Sequence, residues 1–317
     1  MIPARPAPAA ARTGSGRRRW RDWGWQAVVV LALVAAVWWL GSTTLENMRL
    51  RGIRSGFGFL TEPAGFEIGE GWISHDAQRP YWHAFLVGLV NTFRAALPAI
   101  VACTVLGTLL GVGRFSRNGL VRGLCHAIVD LVRNVPLLLQ LLTWYLVLTQ
   151  TLPEAGDPWT WAGVVQLSKN GLAFGREQDV LLTPEYLAIV LGLSLYTSAY
   201  VAEVVRSGIA AVPAGQLEAA TALGLSRGQT LRRIVLPQAL RLVIPPLTNQ
   251  YLNLTKNSSL GVAVGYPELV SVANTTLNQT GRAVECIAIV MAVYLVLSFL
   301  TAFAMGRLNR RYAARER

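Results

Sequence analysis

Three asparagines recur every four residues, at Asn249, Asn253 and Asn257, with Lys256 beside the last. Residues four apart share one side of a helix, so a helical segment here carries a polar stripe of amides and one ammonium. Such a stripe can hold a substrate's charged ends by hydrogen bonding, and the four residues form a candidate substrate path. The alternative is that the amides bond to neighbouring backbone groups freed by Pro245, Pro246 and Gly261. Two acid–base sets, Asp130 with Arg133 and Glu203 with Arg206, have the three-residue spacing of local ion pairs. A buried pair avoids two separate desolvation penalties, so both are expected to be structural. No catalytic residue and no metal ligand is expected. Cys103, Cys125 and Cys286 lack paired metal-ligand spacing, and no Walker-type phosphate loop occurs, so the chain is expected to bind no cofactor and to hydrolyse no nucleotide itself.

The elements that must position these groups are membrane spans. The chain has 317 residues, 53% apolar against 15% charged, and a mean hydropathy of +0.40, too greasy for a soluble domain of that length. Six apolar stretches stand out, at about 23 to 40, 85 to 112, within 120 to 148, 186 to 205, 240 to 264 and 284 to 305. Tryptophans flank the first at both ends, as expected of an interface-anchored helix. The others are interrupted by polar residues, Arg94 and Glu285 among them, which points to helices partly covered by protein.

Orientation follows from counting Lys and Arg. With the amino terminus inside, the four cytoplasmic pieces hold 19 basic residues, and the three external ones hold 7 together with 11 of the 17 acids. The net charge of +12 is therefore a topology signal and gives no support to nucleic-acid binding. Both termini are expected in the cytoplasm.

The longest cytoplasmic piece does not read as a simple connector. Two short helices are expected there, near 216 to 223 and 227 to 236, hinged at Gly224, with Ser226 and Gln229 forming a capping box and Pro237 ending the second helix. Ala219 and Ala220 leave a low surface that a partner can approach closely, and Glu218 can pair with a basic group on it. Glu218-Ala219-Ala220, Gly224, Ile234, Leu236 and Pro237 fix seven positions over twenty residues. This pattern resembles the signature cytoplasmic loop of bacterial ABC-importer permeases. Further stretches narrow the resemblance: Arg133-Asn134-Val135-Pro136-Leu137-Leu138-Leu139-Gln140, the run from Ala199 and Tyr200 through Glu203 and Arg206 to Gly208 and Ile209, Pro245-Pro246 with Asn249, and Lys256-Asn257-Ser258-Ser259-Leu260. Together they are similar to the polar amino acid permeases over most of residues 84 to 306. Asn134 and Ser207 stand where glycine is frequent in that family.

The resemblance implies an all-α integral membrane protein of the type I ABC importer permease fold, with about six transmembrane helices and a coupling helix that docks in a groove of an ATPase. The added first span and the forty residues after it resemble the broad-range L-amino acid subgroup. Three parts are expected: 1 to 83, a tail, extra span and periplasmic segment; 84 to 306, the permease domain; and 307 to 317, a basic tail. The implied partners are a second permease chain, favoured to be a homologue rather than a copy, two ABC ATPase subunits carrying ATP and Mg, a periplasmic amino acid-binding protein and membrane lipid, at the bacterial inner membrane. Within transport the alternative is a narrow-range importer of glutamine, glutamate and aspartate, or of basic amino acids. Outside it, the alternative is a nonconducting membrane scaffold for a cytoplasmic ATPase.

Overall fold

A computed structural model describes residues 15 to 50, 52, 55 to 175 and 180 to 313. The chain divides into two units, Met1–Ser55 and Gly56–Arg317. The first holds one helix, α1 (Ser15–Leu50), whose apolar side chains from Trp23 to Leu40 are exposed all round, as in a helix meant for lipid.

The second unit is built on α2 (Tyr81–Gly113) and α5 (Pro184–Ala210). Small residues set how closely they approach. A Cβ at Gly107 would lie 2.5 Å from the Val201 Cβ, and one at Gly111 2.7 Å from the Ala202 carbonyl oxygen. Without a hydrophobic driving force between spans, such close backbone packing is what holds them. Around this pair lie α3 (Gly119–Asn134), α4 (Leu137–Thr151), α8 (Leu236–Asn257) and α10 (Ala283–Ala313). The central core joins Ala95, Ala99 and Cys103 of α2, Leu137 and Leu141 of α4, Ile189, Leu193 and Val201 of α5, and Val243 and Leu254 of α8. After α8, a 3₁₀ turn at Ser258–Val264 leads to α9 (Leu269–Thr280).

The third expected span is not one straight helix. α3 and α4 meet at a bend of 104°. Pro136 is the cause: its ring excludes Val135 from helical backbone, and Val135 is extended at φ −102° and ψ 126°. Among the described residues four helices are long and apolar enough to cross a membrane alone, and α3 with α4 add a fifth where the bent pair is counted as one broken span. α8 falls outside that set because of its polar stripe.

Residues 56 to 80, expected with the first span, pack instead on the main unit. Phe59, Ala64 and Ile68 share a core with Ala84 and Phe85 of α2, Leu269 and Val272 of α9, and Cys286 of α10. The connection between α4 and α5 forms an antiparallel sheet of four short strands, β1 (Trp159–Trp161), β2 (Val165–Ser168), β3 (Gly171–Phe174) and β4 (Val180–Leu182), in sequence order.

Candidate functional site

The segment between α5 and α8 holds α6 (Ala214–Ala222) and α7 (Arg227–Thr230). Gly224 takes φ +71°, the left-handed turn that glycine adopts without strain, and so separates the two helices. Ser226 caps α7: its hydroxyl accepts from the Gln229 N–H, and the Gln229 side chain accepts from the Ser226 N–H at 2.9 Å. The second helix does not stop at Pro237. α7 passes through a π turn at Leu231–Val235 directly into α8. There the Leu236 N–H reaches back five residues to the Leu231 carbonyl, and this wider turn admits a proline that a regular turn would reject.

Of the seven loop residues singled out by spacing, Ala220 is buried and Ile234 half-buried. Glu218, Ala219, Gly224, Leu236 and Pro237 are exposed. Four leucines of the same segment stand uncovered: Leu217, Leu223 at 78% exposure, Leu231 and Leu236. Leucines held clear of the chain's own core form an apolar surface of the kind a partner can cover.

Along α8, Asn249, Asn253 and Lys256 fall on one exposed face with Leu242, Pro245 and Pro246, while Val243, Ile244, Leu254 and Thr255 point into the core. Asn257, at the helix end, is half-buried. Among the described residues none of these three asparagines, nor Lys256, makes a side-chain hydrogen bond within the chain. The amides are therefore not consumed by backbone freed at the prolines. A row of unspent amides and an ammonium cannot face hydrocarbon; it must meet water, substrate or another chain. The stripe is braced from behind by Tyr251, whose hydroxyl lies 2.8 Å from Thr104 Oγ1 on α2.

Near the carboxyl end of α5, Glu203 collects guanidinium groups. Its Oε1 accepts from Arg206 Nε at 3.0 Å and its Oε2 from Arg114 Nη1, the last residue before the α2–α3 turn, at 2.6 Å. Arg114 also donates to His126 Nδ1 on α3 at 3.2 Å. The local Asp130–Arg133 pair is not formed. Asp130 is exposed, whereas Arg133 turns toward α5, 3.9 Å from Glu203 Oε2 and over the Tyr200 ring at 5.4 Å. On α3 the two residues three apart do not win over a carboxylate already clustered with two arginines.

The opposite end of the bundle holds a network that spacing did not reveal. Arg94, buried in α2, donates to Glu70 Oε1 at 3.0 Å and lies 4.3 Å from the centre of the Tyr186 ring. Thr183, the cap of α5, donates its hydroxyl to Glu70 Oε2 at 2.7 Å. Burial outweighs both partners and pushes the Glu70 carboxyl above the usual carboxylate range. Asn91 donates to the carbonyls of Glu70 and Pro267, and its own carbonyl accepts from the Tyr266 hydroxyl, each at 3.0 Å. Glu268 caps α9 by accepting from the N–H groups of Val270 and Ser271 at 2.9 and 2.8 Å, and its burial raises its pKa to about 7. Glu285, also without a partner by spacing, accepts from the Gly56 N–H at 2.6 Å. The signal was one of type alone: an arginine inside an apolar run needs a carboxylate, and only the fold says which.

Residues 103–314 match the family model described as the binding-protein-dependent transport system inner membrane component. The general L-amino acid transport system permease protein AapQ of Rhizobium johnstonii is 36% identical, over 94% of each chain. The glutamate/aspartate import permease protein GltJ of Escherichia coli K12 is 32% identical, over 76% of this chain and 87% of its own. Among solved structures, an amino acid ABC transporter with histidines superposes with a TM-score of 0.58 at 26% identity, over 73% of this chain and 95% of that one.

Proposed function

The chain belongs to the binding-protein-dependent transport system inner membrane components, and from that premise we propose that it is the permease subunit of an ATP-driven importer of L-amino acids across the bacterial inner membrane. The observation that carries the reading is the cytoplasmic segment between α5 and α8. Its candidate coupling residues run from α6 through the Gly224 turn and the π turn to the start of α8, with Leu217, Leu223, Leu231 and Leu236 left uncovered. An ATPase groove would bury them, and nucleotide-driven closure there would act through α6 on α5 and, through the continuous α7–α8 helix, on the polar stripe. The nucleotide and its Mg²⁺ belong to that partner.

The exposed amides of α8 support a second permease chain, with the substrate path between the two. A homologue rather than a copy fits the broad-range relative AapQ. Replacing one member of the stripe, Asn253→Leu, is expected to lower transport while leaving the amount of assembled complex unchanged; unchanged transport removes the path assignment. A scaffold without a path has no use for that stripe. Both termini in the cytoplasm follow from the basic-residue count, which an accessibility assay on tags at each end reads directly.

Substrate range rests on the same relatives. ATP-dependent uptake of a labelled amino acid by the reconstituted complex, its binding protein included, is expected to be competed by acidic, basic and neutral L-amino acids. Competition restricted to glutamate, glutamine and aspartate, or to basic amino acids, selects a narrow-range importer, and an absence of ATP-dependent uptake ends the reading.

A further inference from the structure

The external sheet has one wholly apolar face. Trp159 is opposite Leu167, Leu167 opposite Leu172 and Leu172 opposite Leu182, while Trp161 is opposite Val165 and Val165 opposite Phe174. Directly opposed residues point to the same side of a sheet, and so do residues two apart on one strand. These seven side chains therefore share a face, and the reverse face carries Thr160, Gln166, Ala173 and Leu181. Leu182 packs against the central core of the spans. Away from it the cover is lost: Phe174 is 37% exposed, Trp161 52% and Trp159 54%.

The sheet's height is fixed by its attachments. β4 ends at Leu182, next to Thr183, the cap of α5. The other end returns within eight residues of the end of α4 at Thr151. Two spans thus hold the sheet at their external ends, where hydrocarbon gives way to water. At that end of α4, Leu146 and Val147 are exposed too. Tryptophan favours this level because its ring is apolar and its N–H can still reach a polar group. Left in water, such a face would forfeit the burial of two indoles. Residues 152 to 182 hold Glu154, Asp157, Glu177 and Asp179 against Lys169 and Arg176, with Lys169 paired to Glu154 at 2.5 Å. That balance offers no attraction to an anionic surface and suits a zwitterionic one.

We propose that β1–β4 lie with this face on the outer leaflet, Trp159 and Trp161 seated at the headgroup boundary of zwitterionic phospholipid. The inference needs only the spans, and holds whatever solute is transported.

The test places one nitroxide at a time on the assembled importer in phosphatidylcholine nanodiscs. Cys103, Cys125 and Cys286 are first replaced by alanine, and the label is attached through Trp161→Cys or, on the reverse face, Thr160→Cys. Collision with dissolved oxygen, which partitions into lipid, is compared with collision with a water-soluble nickel chelate. The oxygen-to-nickel ratio is expected to be several-fold higher at 161 than at 160. Equal, water-like ratios overturn the proposal, as does protection of 161 from both reagents, which assigns the face to a protein partner. If the cysteine variants do not assemble, the protein with its own cysteines and its Trp159→Phe, Trp161→Phe variant are compared in brominated phosphatidylcholine. The variant is expected to lose part of the lipid-quenched indole emission; an undiminished quenched fraction overturns the proposal.

Discussion

In the proposed orientation, the external network and the cytoplasmic α6–α7 segment are built on opposite principles. At the external end, Glu70, Arg94, Asn91, Thr92, Tyr266 and Glu268 are buried or nearly so, and their hydrogen bonds join residues as far apart as Asn91 and Pro267. At the cytoplasmic end, the bonds of α6 and α7 are local: Thr221 to the Leu217 carbonyl, Ser226 with Gln229, and Thr230 to the Ser226 carbonyl, with Gln216–Gln238 as a longer tie. A buried network of polar groups is stiff because every broken bond leaves a desolvated group behind. A segment held by local bonds with exposed leucines keeps its shape while leaving its surface unspent. The external network is therefore completed by the chain itself, and the α6–α7 segment leaves its surface open, as the proposed docking requires.

The difference is broken most sharply by a change that the fold tolerates and the partner does not. Ala219 is exposed on α6. Ala219→Trp is expected to move the stability of the permease by less than about 0.5 kcal/mol, as is usual for surface positions. ATP-dependent uptake by the reconstituted complex is expected to be lost, because an indole holds the docking surfaces apart. Uptake at the original rate would show that this face touches nothing, and the contrast between the ends would lose its functional half.

The next effect belongs to the external end. Glu70→Ala leaves the Arg94 guanidinium in a site where its side chain is 6% exposed, and removal of one partner from a buried pair costs about 3–5 kcal/mol. The expectation is a clear fall in the apparent melting temperature of the detergent-purified complex. Replacing both partners, Glu70→Leu with Arg94→Met, is expected to restore most of it, since the cost lies in the stranded charge. A single variant as stable as the original protein, or a double variant no better than the single one, places the stiffness of this end elsewhere.

The two ends also differ in how far the sequence discloses them. The cytoplasmic segment is written in local signals: glycine where the chain turns left-handed, a serine–glutamine capping box, and helix-compatible residues between. Local bonds are what local spacing can predict. The stripe of α8 was readable for the same reason, its period of four surviving two prolines and showing which face holds the amides. At the external end only half of each pair was visible. Arg94 plainly needed a carboxylate, but Glu70 lies 24 residues away, in a stretch whose attachment to α2 and α9 depends on Phe59, Ala64 and Ile68 finding a common core. Strands of three or four residues carry too little alternation to be recognised, so the sheet was missed. The bend at Val135 did have a signal, the backbone restriction that Pro136 imposes, but the apolar run after it read as continuity. At Pro237 the reading failed the other way: a proline expected to end a helix sits where a π turn carries the helix on.

The smallest effect tests whether the cytoplasmic end is local in its energetics as well as its geometry. Ser226→Ala removes the hydroxyl that accepts from the Gln229 N–H and leaves the reciprocal bond unsupported. Loss of such a cap costs about 1 kcal/mol, and the first turn of α7 has few other contacts to share it. Faster amide hydrogen exchange is therefore expected across residues 227 to 230, with no change at Asn91, Leu269 or Val270, and with the melting temperature of the complex scarcely moved. Faster exchange spreading along α8 to Asn257 would reveal that the π turn at Leu231–Val235 transmits the loosened cap into the span. The cytoplasmic end would then be coupled to the bundle even without its partner, and the division into a finished end and an open one would hold for surfaces but not for stability.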